Sequence, residues 1–371
     1  MTTSLDIVFL GLSLSSSWGN GHATTFRALL RGLAKEGHNI LFLERDVPWY
    51  ACKRDLPEPD FCKLAYYDDI QTMLDVHGSH ILAADAVVIG SYVPFGVEII
   101  DEIAALKPKR LCFYDIDTPV TLAKLNQGDE EYLAARQVSL FDTYFSFSGG
   151  GVLTTLERAY GAHRAIALYC SVDLDLYANT NEPFEWDLGY LGTYSPDRQP
   201  TLECMLIEPA RRMPHLRFVV AGPQYPKHVD WPQNVARIEH LPPARHPSFY
   251  SRQRFTLNVT RADMVAAGWS PSVRLFEAAA CGTPVISDYW RGLNEIFPDG
   301  RAIYIARQTE DVVSLLSRVD ETERRLLAAA ALNIVAQDHT GCARARQFAA
   351  ALKNLPINVQ PRQQPLRSIQ A

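Results

Sequence analysis

The strongest constraint on the fold is a repeated alternation of short apolar runs with stretches of helical spacing. "LDIVFLGL" (residues 5–12) has the length and composition of a buried strand. After a Ser-rich loop, Phe26, Leu29, Leu30, Leu33 and Ala34 recur at helical intervals, Gly37 closes that helix, and "NILFLE" follows as a second strand. Two strands joined through a helix pair in parallel, and a parallel sheet needs helices over its faces. "DAVVIG" (85–90), "RLCFYD" (110–115), "DTYFSF" (142–147) and "AIALY" (165–169) continue the rhythm. It breaks at 170–187, a polar, turn-rich, unpatterned stretch that reads as a linker. It then restarts with "LGYLG", a helix around 202–213, "LRFVVAG", "RIEHL", "FTLNVT", "PVISD" and "AIYIA".

At 371 residues the chain exceeds one ordinary core. The expected fold class is therefore α/β: two Rossmann-like domains, 1–169 and 188–353, facing each other across a cleft. Residues 321–352 read as two helices, the last of them free to cross back to the first domain. Residues 354–371, rich in Pro and Gln, read as a loose tail.

Composition narrows the function. The net charge is −6 and no dense Lys/Arg run occurs, which argues against nucleic acid as the main partner. Seven scattered cysteines without a CxxC pair argue against zinc and a disulfide framework, and fit reduced thiols. The N-terminus lacks the basic region of a signal peptide, and no apolar run reaches the roughly 20 residues that span a bilayer. A cytoplasmic protein without a transmembrane segment is expected.

The stretch "GWSPSVRLFEAAACGTPVISD" (268–288) carries the most specific signal. Ser270 reads as a helix N-cap with Pro271 at the first position, and Gly282 as the stop. Val273, Phe276 and Ala280 form an apolar stripe, which leaves Arg274 and Glu277 on another, solvent-facing one. Arg in the first turns and ahead of Glu is the less stabilising order. A diphosphate at the helix start would explain both, with Arg274 and free amides on the phosphates and Glu277 on hydroxyls. A solvated Arg–Glu pair is the plain alternative.

This segment resembles the donor site of GT-B glycosyltransferases of the "glycosyl transferases group 1" superfamily, and more closely its CgeB-like (spore-maturation-protein-like) branch. "LGTYSPDRQPTLE", "VVAGPQYP" and "LNVTRADM" fall where that branch carries similar segments. The likeness is strong over residues 188–306 and looser before them. It implies that Glu277 contacts the donor ribose and that amides of Ser270–Ser272 hold the diphosphate. Arg198, with Thr193 beside it in "GTYSPDR", stands where a basic pair clamps the phosphates, and Arg274 could supply the second charge. Retaining members often carry another Glu eight residues before the first; here Trp269 occupies that position.

In the first domain, "SSSWGNGHATTF" is a glycine-containing loop between strand and helix. The family places acceptor and phosphate contacts there, so Gly19 and Gly21 would let backbone approach a ligand and His22 would hydrogen-bond to it. Gly19, Gly21 and Glu44 also imitate a dinucleotide fingerprint, although the loop is long and Thr24 replaces the third glycine. Asp115 and Asp117 in "CFYDIDTPVT" stand at a strand's C-terminal end, where they could share a face of the cleft or, for Asp117, cap a helix. Gly149–Gly151 read as a tight turn or a phosphate loop, and Asn258 and Asp263 as neighbours of the donor.

The expected activity is sugar transfer from a nucleotide diphosphate sugar to an acceptor hydroxyl, hexosyl and retaining, with no metal and no other cofactor. Asp117 and His22 are the catalytic candidates. Ser270, Ser272, Arg274, Glu277, Arg198, Thr193 and Asp263 are the donor-binding ones. Rival expectations are a non-catalytic nucleotide-sugar or glycan binder, and an NAD-dependent oxidoreductase.

Overall fold

The computed structural model describes residues 4–18 and 21–354. Seven parallel strands form the first sheet: β1 (Asp6–Gly11), β2 (Asn39–Arg45), β3 (Lys63–Tyr67), β4 (Ala86–Gly90), β5 (Leu111–Asp115), β6 (Thr143–Ser146) and β7 (Ala165–Ala167), in the order β3-β2-β1-β4-β5-β6-β7. Six parallel strands form the second: β8 (Trp186–Leu191), β9 (Phe218–Ala221), β10 (Val235–Ile238), β11 (Gln253–Asn258), β12 (Val285–Ser287) and β13 (Tyr304–Ile305), in the order β10-β9-β8-β11-β12-β13. Their central strands are buried on both faces, which is why they read as continuous apolar runs. The expected α/β class with two Rossmann-like sheets is what the chain adopts.

β3 escaped the sequence reading. It is an edge strand, and its first four residues are exposed or only partly covered, so "KLAYY" shows no sustained apolar run. The helix expected around 202–213 extends from Gln199 to Arg212, with a π turn over Glu203–Ile207 just before Pro209. The missing N–H of that proline disturbs the regular ladder.

The last helix, Gly341–Lys353, does cross back to the first sheet. It lies on the Gly21–Lys35 helix so closely that a Cβ on Gly32 would fall 2.2 Å from the Gly341 carbonyl oxygen. Phe348 stacks against Phe9 and Phe145, and Arg344 Nε donates to the Tyr169 carbonyl at 2.9 Å.

Elsewhere the halves meet through a small polar seam. Gly149 N donates to the Trp269 carbonyl at 2.9 Å, and the hydroxyls of Ser148 and Ser270 are 2.6 Å apart. The triple glycine is explained here: Gly150 has φ +58°, and a Cβ on it would stand 2.3 Å from the Trp269 indole. The run is a close approach between the two halves.

Candidate functional site

In an open parallel sheet, ligands collect beyond the C-terminal strand ends where the strand order reverses. In the first sheet that point lies between β1 and β4, so the loops after Gly11 and Gly90 face it. In the second it lies between β8 and β11, and the loops after Leu191 and Asn258 face it.

The second-sheet loops assemble a cationic group. Arg198 NH2 donates to the Thr193 carbonyl at 2.6 Å, while its Nε is buried with no hydrogen-bond partner. Arg274 donates Nε to the Leu191 carbonyl at 2.7 Å and NH1 to Asn258 Oδ1 at 2.8 Å, with its guanidinium over the Tyr190 ring. Burial, and then the charges of Arg274 and Arg261, push the pKa of Arg198 down. Among the described residues, none of these three arginines has a carboxylate within 4 Å of its guanidinium. Asp197 reaches Arg198 and Arg261, and Asp288 reaches Arg274, only as neighbouring charges, so a cationic group without a direct carboxylate partner is suited to an added anion.

Asn258 organises this group. Its Oδ1 accepts from Arg274 and, at 2.8 Å, from Ser272 Oγ; its Nδ2 donates to Ser287 and Thr260. Thr260 in turn donates from N and Oγ1 to Asp288, whose pKa burial raises.

Several expectations need correction. The helix of the motif is Val273–Ala280, and its N-cap is Ser272, because Ser270 Oγ is spent on Gly268 and Ser148 inside the seam. Ser272 aims its hydroxyl at Asn258, so no side chain caps the helix and its first amides stay available. Arg274 and Glu277 are 9% and 4% exposed, which overturns the solvent-facing stripe. Glu277 Oε2 accepts from Tyr250 Oη at 3.1 Å and lies 3.9 Å from His246 Nδ1. Asp263 is exposed on the first turn of Ala262–Ala267 and joins none of these hydrogen bonds. Arg261, two positions closer to the strand end in "NVTRADM", is the residue whose charge reaches Arg198.

Glu277 lines a cavity of about 340 Å³ between the halves, together with Thr24, Arg27 and Arg31 of the first helix, Tyr177 and Ala244. Such a volume lies at the lower end of small-molecule sites.

Across the cleft, His22 Nε2 lies 3.6 Å from Asp117 Oδ2, with both side chains largely covered. His22 also meets Tyr92 edge-on at 5.2 Å. Gly21 faces open space, and Gly19 lies outside the described residues. Asp115 and Asp117 do not share a face, since β5 ends at Asp115. Asp115 is fully buried, accepting from Tyr144 Oη at 2.6 Å and Thr121 Oγ1 at 2.8 Å. Burial first, then the charge of Asp117, raises its pKa to about 6. Asp117 sits at the start of Thr118–Asn126 without capping it, so its carboxylate is left to His22 and the cleft.

Glu44 removes the ground for a dinucleotide fingerprint. Its carboxylate, 0% exposed, accepts from the amides of Leu14 and Ser15 and the hydroxyls of Ser13 and Ser15. It braces the loop after β1 and is closed to a ribose.

Two parallel α/β units facing each other across a cleft, with a cationic group on one side, define the GT-B class of architecture. Residues 198–350 match the family model described as glycosyl transferase-like. No curated protein is significantly similar to the chain in sequence. Among solved structures, Anabaena HepE in complex with UDP is 14% identical, with 95% of this chain and 100% of that one covered and a TM-score of 0.70. Starch synthase IV of Arabidopsis thaliana, bound to ADP and acarbose, is 10% identical over 95% and 99%, with a TM-score of 0.67. Sucrose-phosphate synthase of Thermosynechococcus elongatus is 12% identical over 94% and 98%, with a TM-score of 0.63. These likenesses establish the fold. No helix among the described residues is long and apolar enough to cross a membrane.

Proposed function

We propose that the chain transfers a hexosyl group from a nucleotide diphosphate sugar to an acceptor hydroxyl, as a member of the CgeB-like branch of group 1 glycosyltransferases. The observation that carries this reading is the Arg198–Arg261–Arg274 group beside an uncapped helix start, with buried Glu277 on the adjoining cavity. The diphosphate lies on the arginines and the Val273 and Arg274 amides, and Glu277 accepts from ribose hydroxyls. As the glycosidic bond breaks, charge grows on the leaving phosphate, and preorganised cations stabilise it there more than in the ground state. That HepE and starch synthase IV were crystallised with UDP and ADP supports a nucleoside diphosphate as the leaving group.

On the acceptor side, Asp117 and His22 orient the hydroxyl and take its proton. The positive charge comes from side chains and a helix start, so the reaction proceeds without a divalent ion. Retention of configuration rests on the group 1 resemblance. One observation favours direct displacement with inversion instead: Trp269, its indole tied to Glu295 at 2.8 Å, stands where retaining members carry a Glu, while a carboxylate–imidazole pair faces the cleft.

Product formation from a panel of UDP-, GDP-, dTDP- and ADP-sugars, followed in EDTA with the anomeric coupling read by NMR, tests these points together. Turnover persists in excess chelator, and Asp117→Asn lowers it roughly 10²- to 10⁴-fold while changing donor affinity little. Activity lost in EDTA and restored by Mg²⁺ or Mn²⁺ would contradict metal independence. Equal losses of affinity and turnover in Asp117→Asn would remove it from the acceptor side.

A further inference from the structure

Away from the donor cavity, the C-terminal edge of the first sheet carries a second hollow, of about 310 Å³, lined by Arg45, Tyr67, Asp69, Gln71, Pro94 and Phe95 among others. Three of its residues leave polar or aromatic groups incompletely used by the fold. Arg45 ends β2 and donates Nε to the Asp68 carbonyl at 3.2 Å, but no carboxylate lies within 4 Å of its guanidinium among the described residues. Tyr67 ends β3, is 4% exposed, and its hydroxyl has no hydrogen-bond partner. A buried unpaired hydroxyl destabilises the fold, and Phe would spare the chain that loss. Phe95 is half exposed with φ +58°, a conformation bulky side chains rarely adopt, and the Arg45 guanidinium lies 4.3 Å from its ring centre.

The acidic residue of the hollow, Asp69, is solvent-exposed and also feels the charge of Arg45, but its carboxylate oxygens are directed to the next helix. Asp69 caps the following helix, with Oδ1 accepting from Thr72 N and Oδ2 from Thr72 Oγ1. Gln71 donates to Asp75. What lines the space is therefore an arginine with its terminal nitrogens uncommitted, a tyrosine whose covered hydroxyl lacks a partner, and an aromatic ring. One loop links the hollow to the His22 side. Phe95 shares the loop after β4 with Tyr92, itself at φ +61°, and Tyr92 contacts His22.

We infer that this hollow is an acceptor subsite for a sugar unit bearing a carboxylate, with the carboxylate on Arg45 and Tyr67 and the ring beside Phe95. The planar fork of Arg matches a carboxylate in two parallel hydrogen bonds, a fit that a neutral hydroxymethyl group cannot reproduce. The assignment deepens the glycosyltransferase reading and rests on it for the word acceptor, while binding itself is independent of turnover.

The test is titration of the full chain, without donor, with p-nitrophenyl β-D-glucuronide and p-nitrophenyl β-D-glucoside. The wild type binds the glucuronide at least about tenfold more tightly, and Arg45→Gln erases the preference. Tyr67→Phe lowers glucuronide affinity several-fold while leaving the melting temperature unchanged or higher. Equal binding of the two glycosides by the wild type, no binding of either, or a preference that survives Arg45→Gln overturns the subsite. Parallel titration with the nucleotide-sugar panel separates the two ideas. Donor binding without glucuronide preference sinks the subsite alone, and absence of donor binding sinks the glycosyltransferase reading.

Discussion

Glu277 sits where burial magnifies whatever its carboxylate does. Alanine there would strand the Tyr250 hydroxyl and leave a gap in the core, so lost binding could not be told from lost folding. Glu277→Gln keeps the shape and an acceptor for Tyr250 but removes the charge. It is expected to weaken nucleoside diphosphate binding roughly tenfold or more by calorimetry, with a near-normal melting temperature. Unchanged affinity in that folded variant would take Glu277 out of the site. Asp115 gives a second residue-scale test, through pH. Its pKa in the fold, about 6, lies above the ordinary carboxylate value of 3.8, so the fold favours its protonated form. The contribution to stability is complete below the unfolded value and is lost as pH rises through about 6. Between pH 4 and 7 it amounts to about 2–3 kcal/mol. Asp115→Asn should flatten that part of the stability–pH curve in chemical denaturation, and a curve parallel to the wild type would refute the assignment.

At the scale of elements, the Val273–Ala280 helix shows what was legible and what was not. Its apolar stripe, its Arg and Glu and its Gly stop could be read directly, because helical spacing and turn chemistry are local. Its cap and its burial could not. Ser270 and Ser272 are chemically alike, and it is their bonds to Ser148 and Asn258, fixed only in the fold, that take both hydroxyls away from capping. The same holds for "DID", where extended spacing suggested one face but β5 stops at Asp115 and sends the two carboxylates apart. β3 lacked an apolar run because edges are half-solvated. The crossing of the last helix was legible as a possibility, yet the reason it sits so close is the pairing of Gly32 with Gly341. Gly32→Ala should force these helices apart and cost about 1–3 kcal/mol of stability in chemical denaturation, despite Ala's better helix propensity. A stability equal to the wild type would contradict the close contact.

For the whole molecule, function follows from how two sheets are placed. The polar seam at Ser148–Ser270 and the returning helix join the halves, and the 340 Å³ cavity lies between them. One side offers arginines without a direct carboxylate partner and a helix start, and the other a carboxylate–imidazole pair. This division predicts that binding energy for the donor is concentrated on its phosphates. The most direct measurement is calorimetric titration of the wild type and Arg198→Ala with UDP, GDP, dTDP and ADP, each beside its own nucleoside. At least one diphosphate should bind about 100-fold or more tightly than its nucleoside, a difference of about 2.7 kcal/mol, and Arg198→Ala should remove most of that gap. If no diphosphate binds better than its nucleoside, or the gap is untouched in Arg198→Ala, the arginine group is not a diphosphate site and the proposed donor chemistry fails.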